Sequence, residues 1–404
     1  MSSKFTIPSE FQNDIRYVAS KDLRSDAEIL TSLTKHVPIQ NNSEKNIWTF
    51  WHSGVLSMPS WCQRNICNWM RLCGPSWTVR VLDNVPGSPN NALKWAESSE
   101  IKLPETFVKG TMDGPYTGPH SADFLRGACL WLYGGVWMDT GIILIRDLDR
   151  ICWNQLADPS SPFQVSAPLM HTTVLANHFV ASRKNDPFIK RWHEIFVHMW
   201  EGQTNSTNLI QHPLAAVGAT ISYEAQEARG FAWEFIVEPE FVAGYVSQVL
   251  AWMRLCALEE PNGFNGRDYH AEKILYFDSL EEDWGAETVV GFRGKELFDA
   301  LAMKTKCDGE ERESEEYKLA YRNAWRLLTG SSMQKITHGK NLTKTPALGI
   351  LWDEEVNEGK DIEEGTFAEL LRYGSVHFEQ TRESIRYVEG VRPDLVIKKG
   401  LLEP

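Results

Sequence analysis

Two glycines followed at once by a short apolar strand with a carboxylate inside it, Gly134-Gly135-Val136-Trp137-Met138-Asp139-Thr140-Gly141, constrain this chain more than any other stretch. Ser121 can cap a helix running to Tyr133 with Phe124, Leu125, Ala128 and Leu132 on its inner face, and Gly134-Gly135 ends it. The spacing then predicts a strand over Val136–Ile145. A helix that feeds a strand so directly belongs to an α/β sheet. Asp139 is costly among apolar neighbours unless a cation, a sugar hydroxyl or a backbone amide meets it.

The residues before this block repeat the alternation. Ile47-Trp48-Thr49-Phe50-Trp51 reads as an aromatic strand closed by the turn His52-Ser53-Gly54. Pro59 then opens a helix at its first position, Trp61, Ile66, Trp69 and Leu72 recur on one side, Gly74-Pro75 stops it, and Trp77–Leu82 is a second strand. Asn84–Asn90 is a turn, and 91–118 reads as a long loop of the kind that covers active sites. Downstream, Asn177–Ala181 is strand-like, and Asn185-Asp186-Pro187 starts an amphipathic helix over Phe188–Trp200. Beyond about residue 260 the pattern weakens, and the acidic run Asp308–Glu316 reads as a solvated helix face or loop.

At 404 residues the chain exceeds the roughly 250 to 300 at which one core stops growing. The expected organisation is an N-terminal arm over 1–45 with a helical piece near Asp22–Lys35, a core over 46–260, and an extension over 261–404. A hydrophobic fraction of 42% and a charged fraction of 24% allow a sizeable core. The net charge of -13 argues against gripping nucleic acid. Sixteen tryptophans exceed what solubility needs; most are core, but flat aromatic faces also suit apolar ligands and the C–H faces of sugars. Seven cysteines form no C-x-x-C pair, and Cys62, Cys67 and Cys73 read as reduced core residues. Neither an apolar signal core nor a stretch long enough to span a membrane is present, so the cytosol is the expected address and the sequons at Asn41, Asn205 and Asn341 are chance matches.

Asp123 and Arg126, three residues apart, share a face of the helix leading into the glycines. They form either a surface ion pair or part of a nucleotide site in which Arg126 offers its fork to phosphate or base and Asp123 accepts from ribose or sugar hydroxyls. As a ligand, the hard carboxylate of Asp139 selects Mg²⁺ or Mn²⁺, and such ions bridge carboxylates to a substrate diphosphate. His52, His120, His178 and His212 read as structural rather than catalytic.

Ser121-Ala122-Asp123-Phe124-Leu125-Arg126, followed by Leu132-Tyr133-Gly134-Gly135-Val136-Trp137-Met138-Asp139-Thr140, resembles the capsular polysaccharide synthesis family of glycosyltransferases. More distantly it is similar to sugar transferases that carry a DXD motif. Ile47–His52 resembles the family's opening strand, Asn177-His178-Phe179 its middle block, and Thr337-His338-Gly339-Lys340-Asn341-Leu342-Thr343 a late His-Lys-Leu element. The resemblance covers Ile47 to Trp200 and weakens beyond.

It implies an α/β fold of the GT-A type, a Rossmann-like sheet that binds a nucleotide sugar, here with an N-terminal arm and a C-terminal extension. By that resemblance Asp139 is the catalytic aspartate and, with His338, the ligand of Mn²⁺ or Mg²⁺. Asp123, Arg126, Thr140, Asn177 and His178 hold the donor, and Trp48, Phe50 and Trp51 its base. Full DXD motifs carry a second acid where this chain has Gly141, so metal binding then rests on Asp139, phosphates, water and His338. The expected reaction moves a hexose from a UDP- or GDP-sugar to a hydroxyl, with retention and without a dedicated base, because the leaving diphosphate takes the proton. An apolar small molecule is the favoured acceptor. The alternative is a noncatalytic nucleotide-sugar or glycan-binding protein, suggested by the missing acid.

Overall fold

Alternating strand residues send large side chains to both faces of one sheet, and each face recruits its own helices. The computed structural model describes residues 3–96, 98–171, 173–220, 233–261, 263–307 and 309–404. In chain order come β1 (Ile15–Tyr17), α1 (Asp26–Leu33), β2 (Asn46–Phe50), α2 (Ser60–Cys73), β3 (Thr78–Leu82), α3 (Leu93–Ala96), α4 (Glu105–Val108) and α5 (Thr117–Tyr133). Then follow β4 (Gly135–Met138), β5 (Ile142–Leu144), α6 (Asn154–Ala157), β6 (Val165–Met170), β7 (Val174–Leu175), β8 (Phe179–Ser182) and α7 (Pro187–Met199). Further helices precede β9 (Ile274–Asp278), separate it from β10 (Met333–Lys335) and separate β10 from β11 (Phe378–Gln380), which β12 (Tyr387–Val388) follows without an intervening helix.

The eight-stranded central sheet runs β12-β9-β6-β8-β4-β2-β3, with β7 beside β6. It is mixed: β2 lies parallel to β3 and β4, β6 parallel to β9, and β8 antiparallel to β4 and β6. Ile47, Val136 and Phe179 pack into a core shared with Trp61, Ile66 and Trp69 of α2. Their neighbours Trp48, Trp137 and Val180 face the opposite core, with Phe124 and Leu125 of α5 and Phe188 and Trp192 of α7. Both faces are covered, as parallel strands require.

The expected strand over Val136–Ile145 is broken. β4 ends at Met138, and β5 leaves the central sheet to pair antiparallel with β10, Ile142 opposite Lys335. Asp139 N donates to His178 O at the break, 3.0 Å away. The region 91–118 is not one loop, since it holds α3 and α4, and α5 starts at Thr117. Ser121 therefore lies inside α5 and donates to Thr117 O at 2.7 Å instead of capping the helix. Pro59 is the N-cap of α2, one place before its first helical residue. The chain beyond 260 supplies β9 and β12 to the central sheet. Of the acidic run, residue 308 lies outside the described residues, and Glu310, Glu311, Glu313, Glu315 and Glu316 are exposed.

Cys62, Cys67 and Cys73 are buried free thiols on α2, and burial pushes Cys67 up to about 12. Among the described residues no helix is long and apolar enough to cross a membrane. The helical piece in the arm is α1, where Ser25 and Glu28 form a reciprocal capping box. Ser25→Ala removes one of its two bonds and is expected to cost about 1 kcal/mol, read as a small drop in the urea midpoint.

Candidate active site

β2 and β4 run parallel, so their carboxyl ends open on the same side, the position where open α/β sheets bind ligands. A cavity of about 910 Å³ lies there, with Phe50 and Trp51 from the end of β2 and Asp139, Thr140 and Gly141 from the end of β4 in its wall. The segment 107–119 and residues such as Val242, Val246 and Val249 close the other side with largely apolar side chains. Tyr116 Oη donates to Lys340 O at 2.7 Å, tying the 91–118 region to the late His-Lys-Leu segment across this cavity.

Asp139 is the centre of the polar wall. Its Oδ2 accepts from Lys335 Nζ at 2.8 Å, and its Oδ1 accepts from Arg126 Nη2 at 3.2 Å and from Trp137 Nε1 at 3.1 Å. The Lys335 side chain is 8% exposed and that of Asp139 is 28% exposed. Burial raises the Asp139 carboxyl, but the Lys335 ammonium and then the Arg126 guanidinium outweigh it and hold the group well below the usual carboxylate range. The aspartate is ionised.

Arg126 is buried rather than on the surface. Its Nη1 donates to Asp123 Oδ1 at 2.5 Å and to Gln248 Oε1, and its guanidinium lies 5.4 Å from the Trp137 ring centre. Gln248 also receives Asn177 Nδ2 at 3.0 Å and donates to Asp123 O at 2.5 Å, so one glutamine ties α5 to the turn before β8. Asn177 Nδ2 reaches Asp123 Oδ1 at 3.3 Å, and His120 Nδ1 lies 3.3 Å from Asp123 Oδ2. Double use of nearly every polar atom fixes the geometry of the pair Asp123–Arg126.

His178 Nε2 meets Asp283 Oδ2 at 2.7 Å, both residues being buried, and Ser279 Oγ donates to Asp283 Oδ1 at 2.5 Å. Burial pushes the Asp283 carboxyl up, against His178 and Ser279. With its backbone carbonyl on Asp139 N, His178 braces the break in the strand.

Asp123, Arg126, Asp139, Thr140, Asn177, His178, Phe50, Trp51 and His338 all face this one cavity. Trp48 does not. Its side chain is fully buried, with Nε1 donating to Gly134 O at 3.0 Å and the ring stacked on Tyr133, because it sits two residues deeper in β2 than Phe50. Lys335, Gln248 and Asp283 complete the network without any signal in the local sequence. The cation was foreseeable only in kind, since a carboxylate in that strand needs a partner.

The two residues expected to hold Mn²⁺ or Mg²⁺, Asp139 and His338, already have partners within the protein. Among the described residues no three His, Cys, Asp or Glu side chains come together to hold a metal. Both oxygens of Asp139 already accept from cationic groups. His338 turns Nδ1 toward Gly339 O at 3.2 Å and Nε2 toward Thr343 Oγ1 at 3.5 Å. Burial, aided by Lys335 and opposed by the Gly339 carbonyl, lowers its pKa, so the ring is neutral near pH 7.

A family model described as capsular polysaccharide synthesis protein matches residues 2–227. The probable glycosyltransferase FCK3 of Fusarium pseudograminearum is 48% identical over 403 residues, 99% of this chain and 99% of its own. The O-glycosyltransferase braB of Annulohypoxylon truncatum is 39% identical over 95% of this chain and 91% of its own. The glycosyltransferase afumC of Aspergillus fumigatus is 35% identical over 94% of this chain and 96% of its own.

Proposed function

The chain belongs to the capsular polysaccharide synthesis family and is a glycosyltransferase, and from that premise we propose that it moves a hexose from a UDP- or GDP-sugar to a hydroxyl of an apolar small molecule. One arrangement carries the reading: an ionised Asp139, flanked by Arg126 and Lys335, in the wall of a largely apolar cavity of about 910 Å³. In this proposal the sheet is a GT-A nucleotide-sugar domain, with the donor lying over the carboxyl ends of β2 and β4. Residues 261–404 complete the acceptor side.

In the proposed reaction the bond between the sugar C1 and the diphosphate oxygen breaks, and a bond from C1 to the acceptor oxygen forms on the same face. The hydroxyl proton passes to the departing diphosphate, so no side chain is needed as base. Asp123 and Asn177 suit the sugar hydroxyls, because each presents polar atoms to the cavity from a fixed network. Phe50 and Trp51 suit the flat base. The name O-glycosyltransferase borne by braB supports oxygen as the acceptor atom.

The test is mass spectrometry of the purified protein incubated with UDP- and GDP-hexoses and a library of apolar alcohols and phenols, followed by NMR of the product. A hexose adduct whose anomeric configuration matches the donor is the expected result. Inversion would remove the same-face step, and absence of both transfer and donor hydrolysis across the library would sink the donor assignment.

A further inference from the structure

The position of the missing second acid is not simply bare. Gly141 has no left-handed backbone angle that calls for glycine, yet a Cβ there would lie 2.1 Å from Thr337 Oγ1 and 2.9 Å from Thr337 Cγ2. Thr337 thus fills the space that a side chain at 141 needs. The intruding residue follows β10, whose Lys335 stands opposite Ile142 of β5, and Ile336 N donates to Gly141 O at 2.9 Å. One late segment therefore does two things at the motif: it excludes an acid at 141 and delivers an ammonium to Asp139.

That ammonium has capacity left. Asp139 Oδ2 takes one of its three N–H groups at 2.8 Å; among the described residues no other protein acceptor meets Lys335 Nζ, and Lys335 lines the cavity. Arg126 holds the other oxygen of the same carboxylate. A divalent ion set against Asp139 would lie beside two cations that already hold the two oxygens of that carboxylate, where like charges repel strongly in a partly desolvated wall. Lys340 adds a further cation to the cavity wall.

We infer that Lys335, backed by Arg126, takes the place of a divalent ion at this donor site, so that the departing diphosphate is neutralised by the protein and transfer needs no metal. Lys335 hydrogen-bonds a diphosphate oxygen through an N–H that Asp139 leaves free, and Asp139 orients the ammonium. The inference rests on the nucleotide-sugar reading above, and the experiment separates the two.

Calorimetry of the full chain with UDP and with GDP, after exhaustive EDTA treatment and again with Mn²⁺, is paired with donor turnover under both conditions. The expected result is binding of one nucleotide by the chelated protein with a Kd within about threefold of the Mn²⁺ value, and turnover likewise preserved, because fixed cations replace the Lewis acid. Lys335→Met weakens that binding at least about tenfold and lowers kcat by about 10², with partial rescue in Lys335→Arg; melting curves report whether each variant is folded. Binding and turnover of the wild type that vanish on chelation and return with Mn²⁺ would overturn this inference alone, whatever the variants do. Wild-type nucleotide affinity in a folded Lys335→Met protein would overturn it too. Failure of both nucleotides to bind under either condition would remove the donor reading and this inference together.

Discussion

Asp139→Asn is expected to lower transfer by about 10³-fold, the scale of losing one preorganised electrostatic group. The substitution keeps the volume and lets an amide oxygen go on accepting from Arg126 or Trp137, but it withdraws the charge that holds Lys335 and points an NH₂ at one of the cations. Stripping the partner from a fully buried ion costs about 3–5 kcal/mol. Asp139 is 28% exposed, so water screens part of that loss and the fold survives. Activity against an assay of melting temperature separates the two effects; wild-type turnover in the variant would refute the role given to Asp139.

The same carboxylate has a pH signature. Its folded pKa is depressed, so its contribution to stability is complete above the ordinary value of about 3.9 and drains away as pH falls through the folded value. The melting temperature of Asp139→Asn should consequently fall less steeply than that of the wild type as the solution is acidified below that point.

Gly135→Ala is expected to cost more than about 5 kcal/mol, a third or more of typical stabilities of about 5–15 kcal/mol. At φ +107 the residue lies outside the angles that alanine tolerates, and its Cβ would stand 2.2 Å from Asn46 O and 2.9 Å from Glu44 O. Both obstacles are backbone, at the start of the strand that pairs parallel with β4 through Ile47 and Val136. Relief would demand that two neighbouring strands part. Gly110→Ala is the control: φ there is +65 with nothing within 4 Å of the new atom, so only the left-handed strain of about 1–2 kcal/mol applies. Comparable soluble yields and urea midpoints for the two variants would contradict the steric account.

The helix, the paired glycines and the three residues Asp123, Arg126 and Asp139 were legible in the sequence because their relations are local: a helical i, i+3 spacing, a turn and a strand within seventeen residues, Asp123 to Asp139. Lys335 was not, since it reaches Asp139 across a separation of 196 residues, and Gln248 reaches Arg126 across 122. No periodicity spans such distances. Trp48 shows a different shortfall. The resemblance assigned its ring to the base, but depth along the strand decides whether a side chain on that face meets ligand or core, and Phe50, two residues nearer the end of β2, reaches the cavity where Trp48 does not. The unbroken strand expected over Val136–Ile145 failed for a related reason, as β5 follows a partner from far downstream rather than the sheet that β4 belongs to.

The pairing of β5 with β10 also bears on how such a chain can be inherited. The recognisable motif lies within the first 227 residues, yet Ile142, Ile143 and Leu144, all buried, have their strand partner in residues 333–335. Severed from that partner, the half bearing the motif would present an apolar open edge, a template for joining other chains. It would also be an aspartate without its ammonium. Exchange of sequence at the middle of this protein would therefore part the motif from the strand and the cation that complete it, and the relatives align along 94% to 99% of the chain.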